Sequence, residues 1–170
     1  MQNKLIFWFT LIAVSAAAAY PPPPSERNPS LADMLQKGMN AEKTQVNLDM
    51  AINLYQQLIT KAGDIQRILA KAHFQMGMCY IKKGQNEAAA ECFYEILQNY
   101  SNQGAIVAKS NFQLGLCHWR DGENEKASEC FKRVISKYSD QTYLVEKALK
   151  KLQQMEIIKE NPNPPVKVLM

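Results

Sequence analysis

Four cysteines are the side chains of this 170-residue chain best suited to redox or metal chemistry. Cys79 and Cys92 lie thirteen residues apart, and Cys117 and Cys130 repeat the same spacing. Because zinc ligands usually come in pairs two to four residues apart, this spacing does not predict a zinc site. Two interpretations stay open, namely disulfide bonds and buried free thiols that pack as small apolar groups, and the second is favoured.

The two histidines, His73 and His118, do not belong to a recognisable catalytic pattern. Neither comes with the serine or carboxylate arrangement that forms a triad. Cys117 and His118 match the end of a haem-attachment motif, but Leu114 stands where its first cysteine belongs. Glycine patterns that bind phosphates or dinucleotides are also missing from the sequence. We therefore predict that the protein is not an enzyme and has no catalytic residue, metal, cofactor or small-molecule substrate.

The cysteines and histidines all lie within a repeated segment of the chain, and the fold of that segment must position them. Aligning the chain with itself pairs 70–105 with 108–143, and 16 of the 36 pairs are identical. Both copies contain Phe, Gly, Cys, a second Gly, Asn-Glu and Glu-Cys-Phe in register. The stretch 30–161 has no proline, which suits an uninterrupted series of helices. A period of this length is typical of stacked supersecondary units.

Each copy has the pattern of a helix hairpin. In the first copy, Phe74 and Gly77 lie at helical spacing, Gly84 interrupts the pattern, and Asn86 is placed to cap a second helix. A glycine inside a helix costs about 1 kcal/mol, so Gly77 and its counterpart Gly115 need a compensating contact. We therefore predict that the two helices of each hairpin approach closely at these glycines.

The repeat extends in both directions. Ala51 and Tyr55 precede Ala89 and Phe93 by one repeat period, which predicts a further unit at the beginning of the helical region. After the second copy, a single amphipathic helix is expected to cap the last apolar face. Its outer face is expected to carry Glu146, Lys147, Lys150, Lys151, Gln154 and Lys159. The predicted organisation is a helical domain over 31–160, with units at about 31–62, 66–100 and 104–138 and a cap helix at 142–160.

The order of glycine, a large residue three positions on, a glycine turn, alanine and phenylalanine resembles the tetratricopeptide repeat. That family has a usual period of 34 residues, and the turn between units here is about four residues longer. The resemblance implies an all-α fold, a right-handed α–α superhelix of about three stacked helix hairpins plus the capping helix. It also implies that the leading helices line a concave groove that binds peptides or partner helices. The implied protein-binding residues are Lys71, Phe74, Met78, Lys82, Lys109, Phe112, Leu116 and Arg120.

These implied groove residues are apolar in the middle and basic at the margins. We therefore expect a protein or peptide ligand, extended or helical, with apolar anchors and some acidic character. An alternative for Phe74 and Phe112 is that both belong to the core between helices. The formal net charge of +4 is weak and scattered, so we predict no nucleic-acid partner.

The first nineteen residues have the layout of a secretory signal peptide. Lys4 precedes the apolar run 5–14, and small residues follow up to Ala19, near which we expect cleavage. The alternative is an uncleaved anchor, but the apolar run is about half the length that a membrane-spanning helix needs. No cysteine precedes Cys79, so a lipid-modified cysteine of the bacterial lipoprotein type is not expected. The sequence thus predicts an exported protein, periplasmic or secreted.

Proline-rich segments flank the predicted helical domain. The segment 20–30 begins with Tyr20 and four prolines, and 161–170 contains Pro-Asn-Pro-Pro. Proline runs cannot form helix, so the first segment is expected to be an extended tether and the second a flexible tail.

The signal-peptide pattern, the long turn between units and the stretch AKAHFQMGMCYIKKGQNEAAAECFYEIL together suggest a narrower resemblance. They are similar to the repeats of the bacterial Tol-Pal cell-division coordinator and of outer-membrane assembly lipoproteins. That resemblance implies a non-catalytic scaffold with an envelope-associated partner. The alternative is a structural subunit that self-assembles into a homo-oligomer through the faces of its repeats.

Overall fold

The computed structural model describes residues 30–43 and 47–160, with side chains up to Glu156. The predicted signal peptide, most of the tether and the predicted tail lie outside these residues. Seven α-helices, joined by short turns, make up the described part. They are α1 (Leu31–Lys43), α2 (Leu48–Lys61), α3 (Gln66–Lys82), α4 (Asn86–Asn99), α5 (Gly104–Arg120), α6 (Asn124–Lys137) and α7 (Thr142–Glu160).

Consecutive helices pack against each other along the whole series, so three hairpins, α1–α2, α3–α4 and α5–α6, are followed by the single helix α7. Helices α1, α3, α5 and α7 also contact one another directly, whereas α2, α4 and α6 make no comparable contacts among themselves in the described residues. The first set therefore forms the inner layer of a curved stack and the second set the outer layer. The predicted all-α superhelix of three hairpins and a capping helix is confirmed.

A glycine in the first helix of each hairpin lies against an aromatic ring of the second helix. A Cβ atom on Gly115 would lie 2.8 Å from Phe131 Cε1, and one on Gly77 would lie 2.8 Å from Phe93 Cε1. Both distances are too short for a real carbon contact, so only glycine fits. The predicted close approach is confirmed, and the first hairpin repeats it. The three pairs are Gly38 with Tyr55, Gly77 with Phe93, and Gly115 with Phe131.

Two further glycines form the turns inside the second and third hairpins. Gly84 has φ +74° and Gly122 has φ +79°, a left-handed backbone that side chains rarely adopt. The prediction that Asn86 caps the following helix is wrong. Asn86 is the first residue of α4, its neighbour Gln85 holds the cap position without a side-chain bond, and Asn86 Nδ2 donates to Asp121 Oδ1 at 3.1 Å. The asparagine therefore joins two successive turns.

The hydrophobic core passes from each hairpin to the next. Phe93 and Ile96 of α4 are fully buried, and they share one cluster with Val107 and Leu114 of α5. Each outer helix therefore buries its apolar face between two inner helices, as a repeat stack requires. The last cluster ends on Ala148 of α7, which is fully buried.

Candidate functional site

The eight predicted binding residues all lie on α3 and α5, in the inner layer of the stack. Residues three or four positions apart in each set share one side of their helix. Lys71, Lys109 and Arg120 are exposed, and Met78 and Leu116 are half-buried. The structure thus places basic and apolar side chains together on one surface, formed by two neighbouring inner helices.

A pocket opens on this surface where α3, α5 and the beginning of α7 meet. It encloses about 380 Å³, a volume within the range of small-ligand pockets. Three of the predicted binding residues line it, together with residues that the sequence analysis did not assign to binding. This inner pocket includes Phe74 of α3, Lys109 and Phe112 of α5, Asp140 of the preceding turn, and Tyr143 and Lys147 of α7.

The two phenylalanines at the pocket also pack against the outer helices. The ring centroids of Phe74 and Phe93 lie 5.7 Å apart, and those of Phe112 and Phe131 lie 5.5 Å apart. Phe112 is only 6% exposed, whereas Phe74 is half-buried. Phe112 is therefore a core residue with one edge at the pocket, and Phe74 presents more of its ring to a ligand.

Lys82 is engaged by a neighbouring hairpin. Its Nζ lies 2.9 Å from Glu42 Oε1, and the Glu42 side chain is only 11% exposed. The Tyr55 hydroxyl donates to Glu42 Oε2 at 3.3 Å. Burial and the neighbouring carboxylate raise the pKa of Tyr55, so the tyrosine stays a neutral donor. Because Lys82 of α3 neutralises a nearly buried carboxylate of α1, it holds the first two hairpins together.

Trp119 and Lys151, near the far end of the inner layer, were not among the predicted binding residues. Lys151 Nζ lies 4.5 Å above the Trp119 ring and donates to Gln154 Oε1 at 3.0 Å. Burial lowers the pKa of Lys151, and the neighbouring charges of Lys150 and Arg120 add to the effect. The residue types offered a signal, since a lysine of one helix and a tryptophan of a neighbouring helix favour cation–π contact.

The prediction that Gln154 and Lys151 lie on the outer face of the cap helix is wrong. Gln154 is 7% exposed, and Lys151 lies half-buried against Trp119 of α5. Lys147 is exposed, but it borders the inner pocket, and its Nζ lies 4.5 Å above the Tyr143 ring. Helix α7 therefore presents part of its basic face to the groove.

His118 joins the second and third hairpins through a polar network. Its Nδ1 lies 2.5 Å from Glu123 Oε2, and its Nε2 lies 2.9 Å from the Tyr94 hydroxyl. A carboxylate can only accept, so Nδ1–H donates to Glu123 and, in the neutral ring, Nε2 accepts from Tyr94. The inner pocket does not include these residues. The network connects α4, α5 and the turn that follows α5.

The four cysteines are free and buried. Burial raises the pKa of Cys79 and of Cys92 to about 12 and that of Cys117 to about 11, and it raises the pKa of Cys130 as well. Because the thiolate is the nucleophile and the metal ligand, these thiols are unreactive in the folded state. They fill space between the two layers of helices.

The described residues offer neither a metal site nor a membrane-spanning helix. Within 30–43 and 47–160, no group of three or more histidine, cysteine, aspartate or glutamate side chains is placed to hold a metal ion. Among the helices of the same residues, none combines the length and the apolar character needed to cross a membrane.

The helix series and its inner surface define a class of protein, the superhelical arrays of stacked helix hairpins. Within this class, residues 67–140 match the tetratricopeptide repeat family, a stretch that covers hairpins α3–α4 and α5–α6 and the turn after them. Residues 67–140 therefore form tetratricopeptide repeats, and the resemblance to that family is confirmed for this stretch. No curated protein matches the chain. Tetratricopeptide repeat domains are usually non-catalytic and generally bind proteins or peptides.

Proposed function

We propose that this protein is an exported, non-catalytic scaffold that binds another protein or peptide in its inner groove and serves in bacterial cell-envelope organisation. The observation that carries the binding role is the inner pocket. Its lining combines the buried Phe112 and the half-buried Phe74 with the exposed Lys109 and Lys147. An apolar floor with a polar rim is the general arrangement of a protein-binding surface.

The binding role is tested by photo-crosslinking in cells that express the full chain. Gln113 lines the inner pocket, and Lys132 is exposed on the outer helix α6. A benzophenone amino acid at position 113 should give a discrete adduct with a partner protein, and the same amino acid at position 132 should not. Equal adducts from both positions, or none from position 113, would contradict the inner groove as the binding site.

The place of action is supported by the sequence of 1–19 and by the similarity to envelope scaffold repeats. The mature chain is expected to begin at or near Tyr20 and to travel with soluble extracytoplasmic material. N-terminal sequencing after cell fractionation tests this. Recovery of intact Met1 in a membrane pellet that resists high salt would contradict export in this form.

A second candidate function is self-assembly through the ends of the helix stack. Large apolar side chains are exposed in the first hairpin and in the last helix, since Met50 is 51% exposed and Leu149 is 45% exposed. Light scattering over a range of concentrations distinguishes the candidates. A monomer at all concentrations favours the binding scaffold, whereas a dimer or filament without any partner favours the assembly subunit.

A further inference from the structure

Charge is distributed unevenly between the two layers of helices. The inner helices α3 and α5 together carry five Lys and Arg residues and no Asp or Glu. Their outer neighbour α4 carries three glutamates and no basic residue, and α6 has charges of both signs. The inner surface near the pocket is therefore more positive than the modest net charge of +4 indicates.

Most of these inner cations have no acidic partner. Among the described residues, Lys82 is the inner-helix lysine that forms a salt bridge, with Glu42. The remaining salt bridges of the described residues involve Lys83, His118 and Lys126, none of which lines the inner pocket. On α3, α5 and α7, the cations without a salt bridge in the described residues up to Glu156 are Arg67, Lys71, Lys109, Arg120, Lys147, Lys150 and Lys151.

Five of these cations are gathered in two places beside aromatic rings. Lys109 and Lys147 border the inner pocket, and Lys147 also lies over the Tyr143 ring. At the other end, Lys151 lies over Trp119, and its pKa is lowered first by burial and then by the charges of Lys150 and Arg120. Holding like charges together costs energy, and a bound anion removes that cost. Asp140 is the acidic residue at the pocket, and it accepts from Gln141 Nε2 at 3.1 Å.

From this arrangement we propose that the inner face binds an internal acidic segment of its partner, whose Asp or Glu side chains meet both cation groups while one apolar side chain fills the inner pocket. The proposal rests on the proposed binding function and names the partner's chemistry. The cations are spread over α3, α5 and α7 and do not converge on one point. A series of side-chain carboxylates matches that spread, whereas a single terminal carboxylate does not.

An apolar pocket distinguishes a peptide from a nucleic acid as the ligand. Phe74 and Phe112 line the pocket, and they pack against the rings of Phe93 and Phe131. An apolar side chain entering this space removes apolar surface from water at about 25 cal/mol per Å². A phosphate backbone gains nothing from it. The combination of cations with an apolar pocket therefore favours an acidic peptide with an aliphatic or aromatic anchor.

The test is a selection of random twelve-residue peptides that are displayed at the N-terminus of a phage coat protein, where they have no free carboxyl terminus. The purified full chain is the target. Selected sequences should be enriched in Asp and Glu around one large apolar residue. Their affinity, measured by fluorescence anisotropy with synthetic copies, should fall at least tenfold in the double variant Lys109→Glu, Lys147→Glu.

A control variant separates the local effect from net charge. Lys132→Glu with Lys137→Glu reverses two exposed lysines on the outer helix α6 and changes the net charge equally, so affinity should stay within twofold. Circular dichroism checks that both variants keep their helices. Selected peptides that are neutral or basic, yet compete for the inner face, would overturn the acidic segment and leave the binding function standing.

Three other outcomes would overturn the proposal in different ways. A failure to select any peptide that binds the inner face would contradict the proposed function and this inference together. Tighter binding of a single-stranded RNA 20-mer than of the best selected peptide would show that the cations serve a phosphate backbone. Equal affinity of the peptides for the parent and for the double variant at Lys109 and Lys147 would place their site elsewhere.

Discussion

The second and third hairpins, α3–α4 and α5–α6, pack their aromatic rings in nearly the same way. The rings of Phe74 and Phe93 are 5.7 Å apart and inclined by 54°, and those of Phe112 and Phe131 are 5.5 Å apart and inclined by 53°. The same apolar residue types at the same repeat positions therefore produce the same contact.

The polar residues of the two hairpins behave differently. At one repeat position, His73 stacks on Tyr100, and its Nδ1 has no hydrogen-bond partner in the described residues. At the equivalent position of the next hairpin, Asn111 donates to the Val107 carbonyl at 3.0 Å and accepts from Arg133 at 3.3 Å. The repeat thus fixes the apolar contacts, while individual substitutions decide how each hairpin satisfies its polar groups.

The largest expected effect comes from removing the buried ring of either hairpin. Phe93 and Phe131 are both fully buried against a glycine. Phe93→Ala and Phe131→Ala should each lower the free energy of unfolding by about 3–5 kcal/mol, because each leaves a cavity between two helices. Urea unfolding followed by circular dichroism measures both values. If one loss falls within this range and the other is negligible, the hairpins are not equivalent.

Adding a side chain at the contact between helices should lower the free energy of unfolding less than removing a buried ring does. Gly115→Leu and Ala127→Leu add volume at the closest approach of α5 and α6, and each should lower the free energy of unfolding by roughly 1–3 kcal/mol or more. Gly77→Leu is the matched change in the second hairpin. Thermal melts of the variants that coincide with that of the parent would show that the helices are not in close contact there.

The next effect distinguishes two cations at one repeat position, Lys82 and Arg120. Lys82→Met leaves the nearly buried carboxylate of Glu42 without its cation and should cost about 1–2 kcal/mol, below the value for a fully buried pair because the lysine side chain is 31% exposed. Arg120 forms no salt bridge in the described residues, so Arg120→Met should leave the free energy of unfolding nearly unchanged. Equal losses in urea unfolding would mean that Glu42 is solvated.

The smallest effect concerns pH. Burial lowers the pKa of His73 from its usual 6.5, and the opposing charge of Glu95 only reduces that shift. The unfolded chain therefore takes up a proton before the folded chain does, so His73 destabilises the fold as the pH falls below about 6.5. His73→Asn, which copies Asn111, should flatten this decline by less than about 1.4 kcal/mol per pH unit, the limit for one proton. If the free energy of unfolding falls equally in parent and variant between pH 8 and pH 5, this role of His73 is contradicted.

The hairpin series and the contacts inside each hairpin follow from the amino-acid sequence alone. The 16 identities between 70–105 and 108–143 mark the units, and glycine in mid-helix marks the close approach to Phe93 and Phe131. These features are local, because residues three and four apart share a helix face and a turn of a few residues brings the next helix alongside. The first unit, whose similarity to the repeat is weaker, is indicated by Ala51 and Tyr55 at the same repeat positions.

The polar contacts between hairpins depend on the three-dimensional packing of the helices. Lys82 of α3 reaches Glu42 of α1, and the inner pocket combines Phe74 with Lys147. Such contacts depend on how neighbouring helices cross, which periodicity within one helix does not encode. Helix α7 shows most clearly what the residue pattern does not predict, since its polar Gln154 is 7% exposed and its apolar Leu149 is 45% exposed. Helices α5 and α6 make the main contacts of α7, so its exposed and buried sides follow from their position and not from its residue types.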